Sequence, residues 1–228
     1  MSLIEMEEVK KDYALGETLV HALRGIDLVI DRAEFVAIWG PSGSGKTTLL
    51  NLIGAIDEPT GGSITIAGTD LRSLSDNRRS KLRNRTIGYI FQGFNLVPVL
   101  SALENVMLPL QIQGISGREA RDKAQDRLEE LGLTEFIHHR PAKMSGGQQQ
   151  RFAIARALVN SPSLVIADEP TANLDSETAR MIISIMHDLN EKDAITFIFS
   201  THDQRLLDQA KRLVRLEDGR IVNGGTPS

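Results

Sequence analysis

Apolar residues fall in short blocks along the chain, and the spacing inside each block predicts its element. Phe35-Val36-Ala37-Ile38-Trp39 is a continuous run that reads as a buried strand. Ile87 to Phe91, Ser163 to Ala167 and Ala194 to Ser200 read the same way. Leu3 to Met6, Val20 to Leu23 and the alternating Ile26-Asp27-Leu28-Val29-Ile30 make residues 3–39 rich in strand, with a turn at Gly16. Asp57 to Gly62 breaks the pattern, and Ser63 to Gly68 resumes it as a strand. Helical segments are Thr47 to Ile53, Leu103 to Leu110, a helix capped by Ser145 that runs to about Val159, and one from near Ser176 to about Asn190. Arg118 to Leu131 is amphipathic, with Ala120, Ala124, Leu128 and Leu131 on one face and Gly132 at its end. Leu213 to Val222 is a hairpin closed by Asp218-Gly219. The pattern predicts an α/β core. Residues 93–143 separate two sheet strands and read as a helical subdomain inserted into that core.

At 228 residues the chain suffices for one large domain, or a domain with a subdomain. A hydrophobic share of 41% beside 25% charged residues is that of a soluble globular protein. The net charge of −4 offers no bulk attraction to nucleic acid, which is not expected as a partner. Without cysteine, disulfides and thiolate metal sites are excluded. The acidic start Met1 to Glu8 lacks the apolar core of a secretory signal, and no run nears the roughly 20 apolar residues that span a bilayer. A soluble chain is expected, with any membrane role supplied through a partner.

The chemistry starts at Gly40-Pro41-Ser42-Gly43-Ser44-Gly45-Lys46-Thr47-Thr48, which fits the phosphate loop G-x-x-x-x-G-K-[ST] between a strand and a helix. Its glycines let successive N–H groups turn inward, and the following helix adds its positive end. Lys46 is placed to reach the β- and γ-phosphates of ATP and Thr47 to ligate Mg²⁺, while Ser42, Gly43, Ser44, Gly45 and Thr48 complete the expected binding set. Three other strands end in polar residues, where ligands of open α/β sheets sit. Asp168-Glu169 ends one: a core strand that stops in two carboxylates needs a counter-charge, and Mg²⁺ supplies it. Asp168 can then hold the cation, and Glu169 can orient and polarise the attacking water. Gln92 follows another strand and can touch Mg²⁺ or the water; His202 follows a third and can bond the γ-phosphate or the water. Ser145-Gly146-Gly147-Gln148 bares N–H groups at a helix start, which is either a plain helix N-terminus or a second anion site. Tyr13, in the turn region between the first strands, can stack on adenine, though a lone tyrosine also reads as core or surface. The basic stretch 70–86 reads as a solvated helix face, and His138-His139 as a surface pair.

Taken in order, these motifs resemble the ATP-binding subunit of ABC transporters over nearly the whole chain. Gly40 to Thr47 is similar to the Walker A motif, Gln92 to the Q-loop glutamine, and Ser145 to Gln149 to the family signature, which other P-loop enzymes lack. Leu164 to Asp168 is similar to Walker B with Glu169 as the catalytic glutamate, Asn173-Leu174-Asp175 to the D-loop, and His202 to the switch histidine. Tyr13 falls where the family places its adenine-stacking aromatic. Two positions depart. The signature usually begins with Leu, here Met144, and Trp39 is bulkier than the residue expected before the loop. Phe91 to Leu96, Leu103 to Val106 and Asp168 to Asp175 most resemble the branch serving lipoprotein release and macrolide or peptide export.

The resemblance implies a P-loop fold of the ABC type: a mostly parallel core sheet flanked by helices, an N-terminal antiparallel β subdomain and an inserted helical subdomain. These form one domain over 1–228, with the core in 1–92 and 162–228 and the helical part in about 93–161. It implies catalytic roles for Glu169, His202, Gln92 and Lys46. Mg²⁺ would sit on Thr47, Gln92 and Asp168, and ATP would contact Tyr13, the P-loop, Gln92, Ser145, Gly146, Gly147, Gln148 and Asp175. ATP would join two head-to-tail copies, and hydrolysis would let them open. An integral membrane permease would be driven through the residues after Gln92, with Leu103, Glu104 and the following helix in the docking surface. The subunit would then be cytoplasmic and peripheral on the inner face of the membrane. The ATPase of a non-transporting regulatory complex, of the cell-division type, would have much the same sequence. An ABC ATPase of ribosomes or DNA usually carries two cassettes or a long coiled-coil insert, and a P-loop kinase or GTPase lacks the signature.

Overall fold

The computed structural model describes residues 1–225; the last three residues of the expected domain lie outside them. β1 (Ser2–Leu15) and β2 (Thr18–Asp31) form a long hairpin that turns at Gly16, where φ is 61°. β3 (Phe35–Trp39) runs through the P-loop into α1 (Lys46–Ile53). β4 (Gly61–Ile66) and β5 (Thr69–Asp70) return to the hairpin, and α2 (Asp76–Thr86) leads into β6 (Ile87–Ile90). Three helices follow: α3 (Ala102–Ile112), α4 (Gly117–Glu130) and α5 (Gly146–Leu158). β7 (Leu164–Asp168), α6 (Ser176–Asp193), β8 (Thr196–Ser200), α7 (Gln204–Leu207), β9 (Arg212–Glu217) and β10 (Arg220–Gly225) close the chain.

The strands form two sheets. One is antiparallel, in the order β2-β1-β4-β5; the other runs β10-β9-β3-β8-β7-β6 and is parallel except for β10. The inner parallel strands β3, β7 and β8 are short and apolar because helices or the other sheet cover both their faces, whereas β9 carries Arg212, Arg215 and Glu217. Side chains alternate across the pleat, so β3 sends Val36 and Ile38 one way and Phe35 and Ala37 the other. On the first face, Val36, Ile38, Ile166 and Ile198 share a buried cluster with the antiparallel sheet and with Leu49, Leu50, Leu52 and Ile53 of α1. On the second, Phe35, Phe197 and Phe199 pack with Ile154 and Leu158 of α5 and with Ile182 and Met186 of α6. A third cluster joins α3, α4 and the outer side of α5 around Phe152, with Ala120, Ala124 and Leu128 contributed by the predicted face of α4. α5 belongs to two clusters, and that ties the helical part to the sheet.

Two sequence expectations shift, at Tyr13 and at Leu103, and the solvated face of residues 70–86 is found as expected. Tyr13 lies inside β1, opposite Val20, and not in the turn: the hairpin stays paired to Leu15 and Thr18. Leu103 is buried in the third cluster, and the Glu104 carboxylate accepts from the Ser101 N–H at 2.7 Å as half of a capping box. Leu103 is therefore buried away from any docking partner, whereas Glu104 stays exposed. α2 has no buried side chain, yet it is anchored by Arg79, paired with Glu58, and by Arg83, which donates to the Ala55 carbonyl at 2.8 Å. Among the described residues no helix is long and apolar enough to cross a membrane.

Candidate active site

Register across three strands assembles the site. Ile38 on β3 pairs with Ser200 on β8, and Ser200 pairs with Asp168 on β7, so these three residues form one row across the sheet. Whatever follows them in sequence emerges at the same C-terminal edge: Gly40, His202 and Glu169. Ile90 pairs with Ala167, and this brings Gln92 to that edge as well.

The P-loop leaves β3 at Gly40, whose φ of 151° and approach to the Leu216 carbonyl leave no room for a Cβ. Lys46 donates to the carbonyls of Gly40 at 2.9 Å and Pro41 at 2.8 Å, which holds its ammonium inside the curl. Ser44 Oγ is buried beside the loop without a hydrogen-bond partner, which fits a loop built around an additional polar ligand. The Thr47 hydroxyl lies 3.1 Å from Asp168 Oδ2, and Asp168 Oδ1 accepts from the buried Ser200 hydroxyl. Glu169 adopts φ 48°, a left-handed conformation that costs a non-glycine residue roughly 1 kcal/mol or more. Its N–H is held at 3.1 Å by both the carbonyl and the hydroxyl of Ser200, and its carboxylate meets His202 Nδ1 at 2.9 Å. Glu169 is largely shielded, whereas His202 is exposed, with its other ring nitrogen free to face a ligand.

The remaining predicted residues are placed as follows. The Gln92 side chain is exposed, and the Gln92 backbone carbonyl accepts from Asn173 Nδ2 at 2.9 Å. Asp175 caps α6, accepting from the Glu177 and Thr178 N–H groups at 3.0 Å each and from the Thr178 hydroxyl at 2.6 Å. Ser145 caps α5 reciprocally with Gln148, at 3.2 Å and 2.9 Å. Gly146 borders Asn173 and Leu174, and Gly147 borders Thr178. Among the described residues no hydrogen bond or ion pair joins Ser145 to Gln148 with Gly40 to Thr48. Met144 fills the helical cluster as a leucine would. Trp39 packs its ring 5.2 Å from the guanidinium carbon of Arg215, its neighbour on β9.

Sequence reasoning passed over Ser200, which fixes both Asp168 and Glu169. The visible sign was a polar residue ending an otherwise apolar strand. It also passed over Asp203, which accepts from the Thr171 hydroxyl at 3.2 Å and pairs with Arg205 at 2.6 Å. That bond links the segment after β8 to the segment after β7, and Arg205 beside it holds the Asp203 carboxyl below the usual carboxylate value. Among the described residues no group of three His, Asp or Glu side chains could hold a metal by itself.

The ABC transporter family profile matches residues 23–172. The lipoprotein-releasing system ATP-binding protein LolD of Anaeromyxobacter dehalogenans is 48% identical over 97% of this chain and 93% of its own length. The macrolide export ATP-binding/permease protein MacB of Syntrophobacter fumaroxidans is also 48% identical over 97% of this chain, which spans only 31% of that longer protein. The ATP-binding cassette MJ0796 of Methanocaldococcus jannaschii, solved as a dimer in a post-hydrolysis state bound to ADP and Pi, superposes with a TM-score of 0.91 at 43% identity, covering 98% of both chains. With the P-loop, the paired carboxylates and the histidine on one sheet edge, this chain belongs to the ABC transporter family as an ATP-hydrolysing, ATP-binding subunit.

Proposed function

We propose that two copies of this chain close head-to-tail around ATP and drive a membrane permease, of the kind that releases lipoproteins or exports macrolides. The observation that carries this reading is the Glu169–His202 pair standing beside the Thr47–Asp168 contact at the mouth of the P-loop. Lys46 and the loop N–H groups bind the phosphates, and Tyr13 stacks on the adenine. The oxygen-only set of Thr47 and Asp168, with the exposed Gln92 amide nearby, fits a hard cation, and Mg²⁺ there would neutralise charge on the phosphates. Glu169 holds and polarises the attacking water, while His202 steadies the Glu169 carboxylate and offers its second nitrogen to the γ-phosphate. The N-terminus of α5, capped by Ser145 and joined to its own P-loop by no hydrogen bond or ion pair among the described residues, supplies the other half of the site to the partner copy. Asp175 supports that surface by capping α6.

The permease then docks in a groove of about 510 Å³ between β6 and α3, lined by Ile56, Tyr89, Phe91, Leu108, Pro109 and Ile112. The groove adjoins Gln92, so a helix seated there senses the segment that faces the nucleotide. Docking through it keeps the subunit on the cytoplasmic face of the membrane.

Glu169→Gln tests the catalytic assignment. The amide keeps the size and the bond to His202 but cannot take a proton, so turnover is expected to fall about 10²- to 10⁴-fold. The variant should still bind ATP and elute as a dimer only when ATP is present. Wild-type turnover would remove Glu169 from the chemistry.

A further inference from the structure

Tyr13 is tethered. Its hydroxyl donates to Asp57 Oδ2 at 2.7 Å. Asp57 Oδ1 accepts from Lys11 Nζ at 2.6 Å and from the Glu58 N–H at 2.7 Å, so both carboxylate oxygens are engaged and the group cannot swing. Lys11 is itself buried. Its ammonium also donates to the Glu58 carbonyl at 2.8 Å and sits 4.8 Å from the centre of the Tyr13 ring. A buried lysine needs such partners, because an unpaired charge there is costly. The backbone N–H of Asp57 bonds the Asn51 carbonyl at 3.3 Å, which hangs the carboxylate from the C-terminal turn of α1. The other end of α1 is the P-loop, eight helical residues away.

We propose that Asp57, locked by Lys11, is a positioning residue that presets the Tyr13 ring as an adenine platform at a fixed distance from the phosphate loop. The proposal rests on the reading of Tyr13 as the adenine-stacking residue. Base and phosphates belong to one molecule, so a platform rigidly joined to the P-loop through α1 receives both ends of ATP without first ordering a loose side chain. The titration of the pair agrees. Burial works against the Asp57 carboxylate, yet the bonds from Lys11 and Tyr13 overcome it and hold its pKa below normal. Burial and the Asp57 bond together raise the phenol.

The test is calorimetric binding of Mg²⁺-ATP and of Mg²⁺-tripolyphosphate, which lacks the base, to the full-length chain. Tyr13→Phe keeps the ring and removes the hydroxyl that forms the tether and also meets the Thr48 side chain, and it leaves the Lys11–Asp57 pair intact. It should weaken ATP about 2- to 10-fold, the cost of ordering one freed side chain on binding, and leave tripolyphosphate unchanged. Adding Asp57→Ala to Tyr13→Phe should lower the ATP-to-tripolyphosphate affinity ratio no further, because the two act through one bond. If Tyr13→Phe binds ATP as wild type does while Tyr13→Ala binds it weakly, the tether is refuted and the stacking stands. If Tyr13→Ala leaves the ratio unchanged, the adenine platform itself falls, and the tether with it. If both ligands weaken together, Asp57 supports the phosphate loop and not the base platform, which also overturns the proposal.

Discussion

Gly40 shows how much a single residue decides. Its φ of 151° is open to glycine almost alone, and a Cβ would overlap the Leu216 carbonyl, which β9 holds in place through its pairing with β3. Gly40→Ala should destabilise the fold by about 1–3 kcal/mol, read as a lower urea midpoint, and should lose ATP affinity with it. Glu169 carries the opposite kind of constraint. Its φ of 48° is strained, and two bonds to Ser200 hold it there. Strain at that point aims the carboxylate at His202, and this geometry underlies the prediction for Glu169→Gln. Of these features, Glu169 and His202 were legible as strand-end residues, whereas Ser200 was legible only as a polar strand end and not as a brace, because nothing local distinguishes a serine that braces two neighbours from one that ends a strand.

At the scale of elements, caps and faces were the readable parts. Ser145 begins α5 as expected, and its reciprocal bonds with Gln148 satisfy N–H groups that the helix leaves open. Ser145→Ala should therefore cost about 1 kcal/mol in denaturant unfolding, with the slope unchanged because the same surface is exposed. In the Glu169→Gln background it should also weaken the ATP-dependent dimer, since the same N-terminus faces the partner's nucleotide in the proposed assembly. The buried face of α4 follows directly from its period. α3 is different: its apolar residues divide between the helical cluster, which takes Leu103 and Val106, and the groove, which takes Leu108 and Ile112. A pattern of apolar positions states that a helix is sticky on two sides, not which side remains open.

For the whole molecule, the joins between layers carry the pH dependence. Asp57 connects the antiparallel sheet to α1, and Asp203 connects the segments that follow β7 and β8. Both carboxyls are held below the ordinary value of 3.8, Asp57 by Lys11 and Tyr13 against the effect of burial, and Asp203 by Arg205. A carboxylate with a depressed folded pKa adds stability that is present above its unfolded pKa and is lost as pH falls through the folded one. Urea midpoints should therefore drop as pH is lowered below about 4, while the contribution of these two groups stays full and constant between about pH 5 and 7. Asp203→Asn should show a shallower acid loss than the parent; an identical acid profile would remove Asp203 from that account.

By itself the sequence determined what depends on neighbours along the chain. The P-loop is a run of nine residues whose glycine spacing and flanking strand and helix are local properties. Strand runs, helix caps and the Asp218-Gly219 hairpin are likewise set within a few residues, since backbone sterics and side-chain period act at that range. Tertiary structure alone decided which strands lie side by side, and so which ends meet. Asp168 reaches Thr47, 121 positions away in sequence, only because β8 lies between β3 and β7 with Ser200 in register with both. The Tyr13–Asp57–Lys11 tether and the packing of Trp39 on Arg215 arise in the same way. Such contacts join positions far apart in the chain, and their partners are selected by sheet order and packing, which no local spacing encodes.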